Sequence, residues 1–261
     1  MADNSNTIVG YNEVNTKELS TQIKNAYTSC VAGIVEILKT EVVDKIANNW
    51  YSPEACQFFG NKEGLAEGFD FDESNNLKEA VKKTSDDIHG YFDAFRLSIE
   101  AAYSTWYYNT GGSKVHHEAN GYAWSEGEGN AIDLDKFDKV ELELDVSSVK
   151  AEDDSGNVYI NPDQVRSIAN GLGDVENQIK NKMTEQKSQL NADTSFLGGG
   201  QAEAIETCFG KLLEKVSEIF KWLTTGEGNL AGTFEQVVQK YEKVAEDIAD
   251  SYNHAYDTTS N

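Results

Sequence analysis

The chain has 261 residues, with 45 Asp and Glu against 22 Lys and Arg, a net charge of −23, 21 Gly and only 2 Pro. That length builds a sizeable core in one or two domains, and a negative excess with no basic stripe repels phosphate backbones and anionic lipid, so nucleic acid is excluded as an expected partner. No run approaches the roughly eighteen apolar residues of a membrane span, and the start MADNSNTIVGYNE has neither the basic region nor the apolar core of a cleaved leader; synthesis in the cytoplasm, and a leaderless route for any export, are expected.

Helical period dominates the first part. Leu19, Ile23, Tyr27, Cys30, Val31, Ile34, Ile37, Leu38, Val42 and Ile46 form a stripe of threes and fours, predicting a long amphipathic helix. Asn48-Asn49 and Trp50-Tyr51 end it. Ser52 then suits the N-cap, and Pro53 the first position, of a new short helix carrying Ala55, Cys56, Phe58 and Phe59. Residues 60–76, acidic and Gly-containing, read as an irregular loop. The period resumes at Leu77, Val81, Ile88, Phe92, Phe95, Ile99, Tyr103 and Trp106 and stops before Asn109-Thr110-Gly111-Gly112.

Residues 109–160 differ. They begin Gly-rich and polar, then alternate strictly at Val140, Leu142, Leu144 and Val146, the pattern of a half-buried strand. Asp153-Asp154-Ser155-Gly156-Asn157 reads as a turn and Val158-Tyr159-Ile160 as the returning strand of a β-hairpin. Asn161-Pro162-Asp163 opens a second helical half, with Val165, Ile168, Leu172, Val175, Ile179 and Met183 on one face. A break at Ser195 to Gly200 precedes a stripe from Ala204 to Leu223, which dips at Thr224 to Asn229 and resumes from Leu230 through Phe234, Val238, Tyr241, Val244 and Ile248 to Tyr252.

The two halves share a plan: long helix, tight aromatic turn, second long helix. Each is a helical hairpin that is marginal alone, and two such hairpins bury both apolar faces by closing as an antiparallel four-helix bundle. The expected fold is therefore mainly α: a first hairpin over 1–108, a Gly-rich linker and β insert over 109–160, and a second hairpin over 161–261.

At the turns the sequence resembles the WXG100 (ESAT-6-like) family, helical hairpins with Trp-x-Gly between the arms. The first half has Trp50-Tyr51-Ser52, with Ser at the Gly position; the second has Phe196-Leu197-Gly198, with Phe at the Trp position. The resemblance implies a tandem four-helix bundle within one chain and a type VII secretion substrate or co-secreted partner. It also implies a Tyr-x-x-x-Asp/Glu secretion signal. Tyr241, Tyr252 and Tyr256 do not supply one, being followed four residues on by Ala245, Tyr256 and Ser260, whereas Tyr122 to Glu126 and Tyr159 to Asp163 fit. Tyr122 and Glu126, following the first hairpin, are the candidate signal.

Trp50 and Phe196 are either partner contacts at an exposed bundle end or plugs between hairpin arms, and the plug is the expected role. His116-His117 with Glu118 lacks a third ligand at fixed spacing, and Asp153, Ser155 and Asn157 lack the glycine and distal Glu of a calcium loop. The scattered Cys30, Cys56 and Cys208 are expected as reduced core thiols. No nucleophile, phosphate-loop or paired-carboxylate pattern stands in a suitable element, so no catalysis and no cofactor are expected. The expected function is protein–protein interaction with secretion; the alternative is a self-assembling structural protein of a filament, surface layer or phage particle.

Overall fold

A computed structural model describes residues 11–110, 115–119, 122–126, 131–190 and 201–259. The described chain is mainly helical, and no described helix is long and apolar enough to cross a membrane. Helix α1 (Glu13–Leu38) opens on Asn12, whose side-chain oxygen accepts from the Val14 and Asn15 N–H groups. A π-helical turn, Lys39–Val43, carries it into α2 (Asp44–Ala47), with the Asp44 N–H reaching back to the Lys39 carbonyl. The predicted stripe from Leu19 to Ile46 is buried along this run except at Ile37, which is half-buried.

Strand β1 (Trp50–Tyr51) leads through Ser52 into α3 (Pro53–Phe59), which ends at Gly60 in the left-handed region with φ 91°. Helix α4 (Leu77–Asn109) is capped by the Asn76 side chain, which accepts from the Glu79 N–H at 3.0 Å. Strands β2 (Val115–Ala119) and β3 (Tyr122–Glu126) follow, then β4 (Tyr159–Ile160), α5 (Pro162–Gln186), α6 (Gln201–Glu218) and α7 (Leu230–Thr259). A short 3-10 run, Ile219–Leu223, and a turn with Gly226 and Gly228 at positive φ separate α6 from α7, where the sequence pattern dips.

The β insert differs from its expected form. Val140 to Val146 does not pair with Val158 to Ile160; the hairpin is β2 with β3, in antiparallel register from Val115 opposite Glu126 to Ala119 opposite Tyr122. Strand β4 pairs instead with β1, Trp50 opposite Ile160 and Tyr51 opposite Tyr159. From Leu142 onward the alternation is a burial pattern: Leu142, Leu144 and Val146 face the core while Glu143 and Asp145 face solvent, outside any ladder among the described residues, whereas Val140, expected on the buried face, is 37% exposed. Side chains take over the ladder's role, as described below.

Contacts separate the chain into two compact units, each drawn from three stretches. The first comprises Met1–Gly33, Thr84–Glu141 and Lys180–Glu218; the second comprises Ile34–Lys83, Leu142–Ile179 and Ile219–Asn261.

In the first unit, Tyr27 of α1 packs against Phe92 of α4 and Phe137, and Phe209 of α6 lies against Phe92 and Phe95. The extended segment 131–140 is fastened by helix side chains. Ser104 Oγ accepts from the Ala131 N–H at 3.0 Å, Arg96 donates to the Leu134 carbonyl at 3.0 Å, His89 meets the Phe137 carbonyl at 2.8 Å, and the Val140 N–H donates to the Tyr27 hydroxyl at 2.8 Å. Arg96, only 3% exposed, also donates to Asp93 and to the equally buried Glu100. A buried guanidinium survives only with such partners.

In the second unit the core gathers Trp50, Phe59, Phe220, Leu223 and Phe234, each fully buried. Here too the strap is held by side chains: the Val149 carbonyl accepts from Asn61 Nδ2 at 2.7 Å, and Ser148 Oγ donates to Asp44 at 3.1 Å. Arg166 of α5 bridges Glu235 and Glu242 of α7.

Candidate functional site

The Trp50 turn is built as its sequence requires. Ser52, extended at φ −166°, turns its Oγ to accept from the Ala55 N–H at 3.0 Å, and Pro53 occupies the first turn, where its missing N–H costs nothing. Trp50 is 0% exposed and packs against Phe58 and Phe59, with Phe234 of α7 completing the cluster. Fully buried, it offers no surface to a partner. Its indole Nε1 has no acceptor among the described residues. The Asn161 N–H donates to the Asn49 carbonyl at 2.7 Å beside the β1–β4 pair, so the turn of the first half meets the run-in of the second. The rings of Tyr51 and Tyr159 lie against each other across that pair, tilted by 38° with centroids 5.2 Å apart.

Phe196 and Gly198 lie outside the described residues, so the second turn motif is not seen. Tyr122 and Glu126 are the first and last residues of β3. The candidate signal thus spans one strand of the β-hairpin, with its two residues in register opposite Ala119 and Val115. His116 and His117 stand in β2, opposite Ser125 and Trp124.

Asp153 closes a turn. Its carboxylate accepts from the Asn157 side chain and from the Ser155 and Asn157 N–H groups at 2.8 to 3.2 Å, and these bonds hold its pKa below the usual carboxylate value. Among the described residues no group of three or more His, Cys, Asp or Glu is placed to hold a metal ion. Cys30 and Cys56 are buried, and burial pushes their thiols up to about 12 and about 11. Cys208 corrects the expectation of core thiols, because it lies on the exposed side of α6.

A polar groove of about 570 Å³ in the second unit runs from Thr40, Glu41 and Asp44 to Ser167, Gly171 and Asp174. Of its charged groups, Asp44 pairs with Lys39, and Lys45 with Glu41.

The feature that sequence reasoning passed over is the second half of α7. Leu230, Phe234 and Val238 are buried, but further along the same face Val244, Ile248 and Tyr252 are 49%, 52% and 75% exposed. Every residue from Lys243 to Tyr252 is exposed. The periodic stripe was legible, but the point at which the fold stops covering it was not. Comparison with protein-family models, curated proteins and solved structures returned no match.

Proposed function

We propose that the chain is a noncatalytic interaction protein of WXG100-like build, a tandem of helical hairpins closed as a four-helix bundle and exported, or co-exported with a protein partner, by a type VII machine. The observation that carries this reading is the Trp50-Tyr51-Ser52-Pro53 turn, with its buried aromatic plug and capped helix start. Contacts within the first unit support the bundle: α1 meets α4 through Tyr27 and Phe92, α4 meets α6 through Phe95 and Phe209, and Gly33 of α1 lies beside Lys182 of α5. The net charge of −23 favours protein over nucleic-acid partners.

Tyr122 and Glu126 are the residues we assign to the secretion signal. Fractionation of producer cultures tests this assignment together with export: the native chain is expected in the medium or wall fraction, and Tyr122→Ala and Glu126→Ala are expected to remain in the cytoplasm. Export of both variants at the native level would overturn the signal, and absence of the native chain outside the cells would overturn the reading.

A further inference from the structure

We propose that the uncovered stripe of α7 is a docking helix for a different protein, one offering an apolar groove rimmed by Lys and Arg. The stripe is a continuation of a core face. Leu230, Phe234 and Val238 are 3%, 0% and 0% exposed, and the same line, at spacings of three and four, runs on through half-buried Tyr241 to Val244, Ile248 and Tyr252.

Isolated exposed apolar residues are ordinary, as with Val14 and Leu97 here, but three in line over about two turns of helix form the anchor pattern of helix-in-groove recognition. The polar faces around the stripe set the partner's charge. Between Lys243 and Tyr252 the side chains are Glu246, Asp247 and Asp250 against the one ammonium of Lys243, all exposed. Glu242, at the start of this stretch, is bound to Arg166 at 2.7 Å.

A second copy of the chain would bring two acidic rims together on bodies that each carry −23, and anionic lipid would be repelled by the same groups. A groove with cationic edges covers the stripe and neutralises its rim. This proposal goes beyond export and does not depend on it.

The test uses the full chain and two synthetic helical peptides with the same leucine stripe, one flanked by Lys and one by Glu, followed by fluorescence anisotropy. The Lys-flanked peptide is expected to bind. Its dissociation constant should rise at least about tenfold for the double substitution Val244→Ser with Ile248→Ser, and stay unchanged for Leu97→Ser, an equally exposed site on α4. All three sites are exposed, so the variants keep their fold, which circular dichroism verifies.

Equal binding of the native chain and the double variant would mean attraction by charge alone and would overturn the proposal. Equal binding of the Glu-flanked peptide would do the same. So would light scattering that shows a native dimer dissolved by Ile248→Ser, or native chain, but not Ile248→Ser, floating with phosphatidylcholine vesicles.

Discussion

Replacing Trp50 by Ala separates a packing role from a binding role. Trp50 is fully buried, with ring centroids of Phe58 and Phe59 at 6.0 and 6.3 Å, and Phe59 in turn lies 6.3 Å from Phe234. A buried Trp withdraws about 150–250 Å² from water, which at about 25 cal/mol per Å² sets an upper bound of roughly 4–6 kcal/mol on its burial. Truncation to Ala in cores of this kind costs about 3–5 kcal/mol, the cavity included. With a urea m-value of about 2 kcal/mol per M, a loss of about 4 kcal/mol lowers the unfolding midpoint by roughly 2 M.

Trp50→Phe should cost less, about 1–2 kcal/mol, because a ring still fills the site and the indole N–H, which has no acceptor among the described residues, is removed with it. Urea unfolding followed by far-ultraviolet circular dichroism measures both. A loss below about 1 kcal/mol for Trp50→Ala, or a larger loss for Phe than for Ala, would refute the plug.

Four further outcomes follow from the same structure. Ser52→Ala should lose about 1 kcal/mol and Ser52→Gly only a few tenths, in the same unfolding assay: both forfeit the bond to the Ala55 N–H, but Gly, with no Cβ to shield it, leaves that N–H more open to solvation. Arg96→Met should cost about 3 kcal/mol, and less when combined with Glu100→Gln, since the substitution strips a buried carboxylate of its guanidinium. Arg166 depresses the pKa of Glu235 and Glu242, so the stability it contributes is present above the ordinary glutamate pKa and is lost as pH falls through the lowered values; the midpoint difference between native chain and Arg166→Gln should shrink from pH 6 to pH 3. Thiol titration should find one fast cysteine, Cys208, with Cys30 and Cys56 reacting only on unfolding.

The helices were legible because their signals are local. The stripe from Leu19 to Ile46, the cap at Ser52 with Pro53, and the dip at Thr224 to Asn229 each act within a few residues, and each is found where expected. The β insert was misplaced because a period of two marks which side chains are buried, and says nothing of what the backbone pairs with. Leu142, Leu144 and Val146 follow the pattern in a strap fastened on either side by Tyr27, His89, Arg96 and Asn61, residues far from it in sequence. A local signal for the true hairpin was present in Asn120-Gly121, a dipeptide that favours two-residue hairpin turns, lying between the two strands. The buried pair Arg96 and Glu100, set in an apolar stripe at a spacing of four, likewise marked a polar fastening inside the core.

Of the proposed site, the cap at Ser52, the proline and the aromatic cluster of the Trp50 turn could be read because they are nearly consecutive, whereas the pairing of Trp50-Tyr51 with Tyr159-Ile160 and the approach of Phe234 could not. The exposed end of α7 could not. Its sequence continues the pattern of a buried helix, and only the extent of the neighbouring elements decides where burial stops.

The proposed export by a type VII machine is tested most directly by comparing producer cells with a strain lacking that machine's ATPase. Medium, wall and cytoplasm are quantified together, with a cytoplasmic enzyme as the marker of lysis. The chain is expected outside the parent cells, above the lysis marker, and confined to the cytoplasm of the deletion strain. Equal amounts outside both strains, or retention inside both, would contradict the proposed export.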